Sequence, residues 1–413
     1  MASEFFPGIY LKITVHDILI NGHGCNPKQN TTNCDVIPLS TYYMQYNKSY
    51  RFRLINSQTY GCPLEFTGHN LTVIATDGYP VKPVTFDAFL MLSGERYDVV
   101  VHANNDRNKK EAYIRVRALN KCALNKLQVF GRIIFVEDQL KVEKFISHVR
   151  PYTDQLDYHV PFKQNAVVMN HPTLNCRIGN HLCVADLKQK GVRGPSGGNM
   201  REVRPNREIP IRFFPKRLKF QPSHFHATDM VVNRAAANDM NKIIMTGTPV
   251  PGLTQDDSFV PYCNESTLAN ETAIEGMHFC PHLIQLKLGE VVDFLLSDVT
   301  YELEDIHSFH FHGYGFQIID MGKLEQYKTN TTPYYNDTHP PTVKDTIGVP
   351  IGGFVRIRFR ASNPGYWMFH CHFEIHMYIG MRLIVRVGDK SQMRSAPVGF
   401  PSCSDYLPPV IGM

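Results

Sequence analysis

His370-Cys371-His372-Phe373-Glu374-Ile375-His376, closed by a methionine at Met381, follows an earlier histidine-rich run, His307-Ser308-Phe309-His310-Phe311-His312. On a β-strand, successive side chains point to opposite faces. His370 and His372 therefore share one face, and Cys371 points to the other. His310 and His312 share a face, and odd-numbered His307 points the opposite way. Parity alone gives two metal sites back to back. One is built on Cys371 and His307, the other on the four same-face histidines. Cys371 is covalently joined to His370 and His372, so it links the two.

The donor types select the metal. Thiolate and thioether suit cuprous ion, and imidazole suits both copper oxidation states. Cys371, His307 and His376 with a weak axial Met381 form the donor set of a blue, electron-transfer copper. The all-imidazole set of His310, His312, His370 and His372 suits copper that binds and reduces oxygen. Zinc also accepts Cys and His, but it gains nothing from the methionine and leaves four histidines unexplained. Packed core histidines are the other reading, and they do not account for two such runs in matching parity.

The segments Asp305 to Gly313 and Asn363 to Met381 resemble the two C-terminal copper signatures of multicopper oxidases, and the chain is most similar to arthropod-type laccases. The resemblance runs from about residue 17 to the end. It implies type 1 copper on His307, Cys371, His376 and Met381, type 2 copper on His310, and type 3 copper on His312, His370 and His372. Electron transfer would run through Cys371, His370 and His372, and up to four coppers would serve a complete member. Ser308 stands where many members have proline; the ligands are untouched. The family draws four further histidines from an N-terminal domain, the first pair normally in His-Trp-His. The only tryptophan here is Trp367, so that motif is absent and an N-terminal domain is expected to be missing. His224-Phe225-His226 is the only other such pair, and we read it as a solvated loop.

A chain of 413 residues has room for two or three cores. The net charge of +5 is modest. The basic residues between Lys188 and Lys219 are mixed with Pro, Gly and Glu as in a solvated linker, which excludes a nucleic-acid reading. No apolar run reaches the ~18 residues that a membrane span needs. Seven sequons, at Asn30, Asn47, Asn70, Asn264, Asn270, Asn330 and Asn336, and ten cysteines suit a secreted, extracellular glycoprotein. No signal peptide is visible. With Cys371 set aside as a ligand, Cys25 with Cys34, Cys62 with Cys122, Cys176 with Cys183, and Cys263 with Cys280 are close enough to pair, leaving Cys403. In related oxidases such a C-terminal cysteine often bridges to the N-terminal domain.

Strand signals dominate, for example Tyr50 to Ile55 and Phe354 to Phe359, between Gly, Pro and Asn turns. The fold expected is all-β: two tandem β-sandwiches, which the resemblance makes cupredoxin-like Greek keys. Residues 1–150 form a copper-free domain, 151–208 a linker region, and 209–413 the copper domain. The halves repeat: Phe66-Thr67-Gly68-His69, followed by Asp77, aligns with Phe309-His310-Phe311-His312, followed by Asp320, and Gly94 to Ala103 with Gly352 to Ala361. Carried across, His307 falls on Leu64, His310 on Thr67, His370 on Val116, Cys371 on Arg117 and His372 on Ala118. Only His312 meets a histidine, His69, which we read as structural. Gly194-Pro195-Ser196-Gly197-Gly198 matches a hydrolase nucleophile elbow but lacks its strand and helix, and is read as a loop.

The resemblance implies an oxidase: phenols or aromatic amines give single electrons, and oxygen is reduced to water. Two alternatives stand beside it. One is a fragment holding only type 1 copper, with an apolar surface open to association where the N-terminal domain would pack. The other is a ferroxidase, which needs acidic residues near the type 1 site. Glu374 reads equally as a proton donor or as plain surface.

Overall fold

The computed structural model describes residues 15, 17–24, 38–59, 64–103, 106–119, 127–138, 166–170, 180–191, 198–220, 223–232, 242–244, 262, 277–279, 282–298, 306–328, 339–378, 381–395 and 397–398. Two β-sandwiches follow one another. The first is built from β1 (Ser40–Gln45), β2 (Ser49–Ile55), β3 (Leu64–Thr76), β4 (Tyr79–Met91), β5 (Arg96–His102), β6 (Glu111–Ala118) and β7 (Gln128–Val136), with β8 (Val168–Met169) and β9 (His181–Leu182) added at one edge. Its strand order is β1-β7-β6-β3-β4-β8-β9, and β2-β5 joins at β3. β3 serves both layers: Leu64 to Thr67 pair with β6, and Thr72 to Thr76 with β5. Period-two patterning explains the closure. Tyr97, Val99 and Val101 of β5 point inward and are buried, as are Phe86, Phe89 and Ile133. Within 151–208, expected as a linker, β8 and β9 lie along β4.

The second half contains β10 (Arg207–Phe220), β11 (Ser223–Val232), β12 (Lys242–Ile244), β13 (Met277–Phe279), β14 (Leu283–Leu286), β15 (Val291–Asp298), β16 (His307–Phe311), β17 (Phe316–Lys323), β18 (Val343–Lys344), β19 (Thr346–Val349), β20 (Gly353–Arg360), β21 (Gly365–Cys371) and β22 (Arg382–Val387), with two short helices, α1 (Leu324–Lys328) and α2 (Glu374–Tyr378). One sheet has the order β11-β10-β15-β20-β17-β18, the facing one β14-β22-β21-β16-β19. β15 is buried along its whole length, as its central place requires, and its buried Asp293 is paired with Arg358 of β20 at 2.5 Å. Phe294 and Phe359 from the first sheet meet Phe311 and Phe369 from the second at centroid separations of 4.9–5.9 Å. Each such ring contributes about 1.5–3 kcal/mol by leaving water. This aromatic layer fixes β16 against β21, the two strands that carry the histidine runs.

Two sequence expectations change. His224-Phe225-His226, read as a loop, lies on β11, paired antiparallel with β10 from Phe220↔Ser223 to Ile211↔Val232. Alternating Ser, His, Phe, His and Ala have strand periodicity, which the flanking Pro222 obscured. The alignment of the halves also slips by one residue. β16 pairs Phe309 with Cys371, whereas β3 pairs Phe66 with Val116. With Phe66 matching Phe309, Cys371 therefore corresponds to Val116, not Arg117. A one-residue slip exchanges faces, so it matters. Glu65, fully buried, pairs with Arg117 at 2.7 Å on the face that carries imidazoles in the other half. An ion pair stands where the second half has these histidines. Finally, Cys183 is buried and disulfide-bonded. The other expected pairs, His69's side chain and Gly194 to Gly197 lie outside the described residues. No helix among the described residues is long and apolar enough to cross a membrane.

Candidate metal centre

β16 and β21 run antiparallel, with His310 opposite His370 and Phe309 opposite Cys371. Directly paired residues share a face. The two donor sets therefore lie on opposite faces of one strand pair, as parity requires.

On the inner face, Cys371 Sγ lies 3.8 Å from His307 Nδ1 and 3.9 Å from His376 Nδ1, and the two Nδ1 atoms are 3.2 Å apart. Three donors bonded to one ion at about 2.0–2.3 Å, trigonally disposed, would stand roughly 3.5–3.8 Å from one another. The observed triangle brackets that size. The three ligand atoms form a group able to hold a metal ion, and thiolate with two imidazoles is the set that suits copper. His307, Cys371 and Met381 are fully buried. Phe213 and Phe373 wall His307 at 5.1 and 5.8 Å, which keeps water from the sulfur. A backbone loop presets the spacing: Cys371 N donates to Met381 O at 2.9 Å, and Met381 N donates to His376 O at 2.8 Å. The single turn of α2 carries His376 between them.

On the opposite face, His312 Nε2 and His370 Nε2 are 3.0 Å apart. His310 lies 4.8, 5.8 and 6.0 Å by ring centroid from His312, His370 and His372. His370 Nδ1 contacts the Cys371 carbonyl at 2.9 Å. Burial pushes His370 down to about 3 and His312 to about 4, and lowers His372 as well, with neighbouring imidazoles adding to each shift. All three are neutral at physiological pH, the form that ligates. The sign for the metal-free protein follows. Unfolded imidazoles take protons below about pH 6.5, the folded ones only near 4 and 3. The unfolded state binds more protons in between, so stability falls as pH drops from about 6.5 toward 4. Denaturant midpoints of the metal-free chain should fall between pH 7 and 5, and His370→Gln should flatten that slope.

The first sandwich closes over this face. Ser93 Oγ lies 3.1 Å from His372 Nδ1, and Glu374 N donates to the Thr59 carbonyl at 3.2 Å. Glu374 itself is exposed, at the start of α2. Gly94 has φ +82°, and a Cβ there would meet the His372 ring at 2.4 Å. Gly94→Ala should therefore cost about 1–2 kcal/mol from backbone strain alone, with the ring contact added, measurable as a lower denaturation midpoint.

Sequence reading missed the residues behind His310. Its Nδ1 lies 2.9 Å from Thr346 Oγ1 and 3.0 Å from the Asp345 carbonyl. Burial alone would raise the Asp345 carboxyl; hydrogen bonds from Arg96 and His310 and the Arg96 charge outweigh it and hold it well below the usual range. The available signal was Lys344-Asp345-Thr346, three polar residues between apolar Val343 and Ile347, a costly pattern unless partners exist.

Two models of the multicopper oxidase family match this chain, over residues 7–131 and 253–391. Laccase-6 of Arabidopsis thaliana is 26% identical over 414 residues, covering 93% of this chain and 65% of its own length. Laccase-14 of the same plant is 25% identical over 360 residues, covering 81% and 56%. The chain thus spans between about half and two thirds of these relatives. Among solved structures, Fet3p, a multicopper oxidase that functions in iron import, matches with TM-score 0.56 at 22% identity, over 85% of this chain and 57% of that one. A laccase from Botrytis aclada gives 0.55 at 18%, over 93% and 60%. Those two establish the cupredoxin-like sandwich. With the family models falling on both sandwiches, and the second of them spanning both histidine runs, the chain belongs to the multicopper oxidase family.

Proposed function

We propose that this protein is a laccase-like oxidase, coupling one-electron oxidation of phenols or aromatic amines to reduction of oxygen to water, in an extracellular setting. In this reading residues 1–150 are the metal-free domain, 151–208 the connecting region and 209–413 the copper domain. His307, Cys371, His376 and axial Met381 would hold type 1 copper; His310 would hold type 2 copper, and His312, His370 and His372 type 3 copper. Copper would supply single-electron acceptance at the first site and electron delivery to oxygen at the second.

One observation carries the proposal: His370 and Cys371 are the last two residues of β21 and so face opposite sides, and His372 follows directly with its ring 5.8 Å by centroid from that of His370. Cys371 thereby provides an unbroken bond path between the donor sets. Phe213 and Phe373 pack against His307 on one side of that path, and the neutral imidazoles of His312, His370 and His372 stand on the other.

The test is copper loading of the full chain, recording copper per chain, the thiolate-to-copper absorption, and oxygen uptake with a phenol. More than one copper, a blue band and oxygen uptake are expected. One copper with a blue band and no uptake would overturn the oxidase reading in favour of a copper-holding protein. Faster uptake with ferrous ion than with any phenol would favour a ferroxidase.

A further inference from the structure

His310 is oriented from outside its own sandwich. Its Nδ1 has two near partners, the Asp345 carbonyl at 3.0 Å and the Thr346 hydroxyl at 2.9 Å, with the Asp345 carboxylate, also an acceptor, beyond them at 3.5 Å. The carbonyl can only accept. The Thr346 hydroxyl donates to Asp345 Oδ1 at 2.8 Å, which leaves its oxygen free to accept from the ring. Both partners therefore call for a proton on Nδ1, and Nε2 is left with its lone pair for the open side that it shares with His312 and His370. That is the tautomer a metal needs, and a ligand's second nitrogen sets it.

What holds Asp345 and Thr346 comes from the half without metal ligands. Arg96 donates from both terminal nitrogens to the two Asp345 oxygens, at 2.5 and 2.6 Å. Such a planar fork fixes the carboxylate in orientation as well as place. Asp77, buried, accepts from the backbone N–H groups of Asp345 at 3.2 Å and Thr346 at 3.1 Å. Its other oxygen accepts from Arg96 N at 2.9 Å. Arg96 NH1 also donates to the Gly94 carbonyl at 3.2 Å, so the guanidinium is held at its own end.

We propose that Arg96 and Asp77 of the metal-free sandwich are positioning residues for His310: through Asp345 and Thr346 they fix its ring angle and its Nδ1–H tautomer. The sandwich without such a histidine set thus acts as the brace for a ligand of the other. The proposal rests on reading His310 as metal-facing, and its test includes an arm that needs no metal.

That arm is nitrogen-edited NMR of the imidazoles in the metal-free full chain, at about pH 8, above the ordinary imidazole range. The natural protein should show His310 as a single Nδ1–H tautomer. Arg96→Met should give a mixture of tautomers at His310 while His376 and His307 keep theirs. An unchanged His310 spectrum in Arg96→Met overturns the proposal, whatever the copper data show. If Arg96→Met does not fold, Arg96→Lys keeps the charge and loses the fork; a mixed tautomer there supports the proposal, and a single one sinks it. In the copper arm, Arg96→Met should weaken copper binding at the imidazole set by roughly 10–100-fold, with the blue absorption of the Cys371 site unchanged. Equal weakening of both sites would mean a merely structural role for Arg96 and overturn the proposal. Absence of copper from the imidazole set of the natural protein counts against the oxidase reading, while the NMR arm still decides this one.

Discussion

Cys371→Ser should abolish the intense visible absorption of the copper-loaded protein completely and lower bound copper by one per chain. The sulfur is the only soft anionic donor in the triangle with His307 Nδ1 and His376 Nδ1, at 3.8 and 3.9 Å. A serine hydroxyl is a hard donor that does not ionise near neutral pH, so the variant offers two imidazoles and the Met381 thioether. The site is fully buried at Cys371 and Met381, and water cannot readily make up the missing ligand. The imidazole set on the opposite face keeps its four donors, so copper there should remain. Zinc provides the control: it can occupy Cys and His ligands but gives no visible band. The new hydroxyl also enters an apolar shell, which costs about 1–3 kcal/mol in the metal-free protein. Cys371→Ala separates the effects, since it loses the band with a smaller stability cost. A persistent blue band in the serine variant would show that the thiolate assignment is wrong.

The second half of the fold was readable because a period of two is unambiguous. Given His370-Cys371-His372 and His307 to His312 on strands, the opposite-facing donor sets follow without coordinates, and the pairing of His310 with His370 agrees. Three things were not readable. The slip that placed Cys371 opposite Arg117 arose because the loops before β6 and β21 differ in length, and parity says nothing about loop length. The strand at His224 to His226 was hidden by Pro222, a turn residue that begins a hairpin as often as a loop. The Arg96 to Asp345 contact joins residues 249 apart in sequence, and no local pattern foretells which distant cation meets a buried carboxylate. Lys344-Asp345-Thr346 could have been marked as needing partners; it could not have named them.

Lys344 carries the largest stability effect. Its side chain is fully buried, and Nζ donates to Thr76 Oγ1 at 2.6 Å and lies 3.1 Å from Asp77 Oδ2 and 3.3 Å from Glu95 Oε1. It also sits 4.6 Å from the Tyr97 ring centre. Burial alone would lower its pKa; Asp77, Tyr97 and Glu95 together reverse that and keep it protonated. Burial raises the Glu95 carboxyl, with Lys344 opposing. One cation thus serves two buried carboxylates from the other sandwich. Lys344→Met keeps most of the volume and leaves Asp77 and Glu95 without it. Removing one partner of a buried ion group costs about 3–5 kcal/mol, well above the ~1 kcal/mol typical of point substitutions. Chemical denaturation should show that loss as a lower midpoint, with the two sandwiches monitored separately because they need not unfold as one. Lys344→Met combined with Glu95→Gln should recover part of it, since the second change removes a stranded charge; a double-mutant cycle gives the coupling. If the charge cluster merely fills space, the single and double variants should be equally destabilised. Asp77 also anchors the Asp345 and Thr346 backbone, so Lys344→Met should loosen His310 while leaving the closed loop from Cys371 to Met381 intact. The same variant should therefore keep its blue absorption at temperatures where the interface between the sandwiches has already opened.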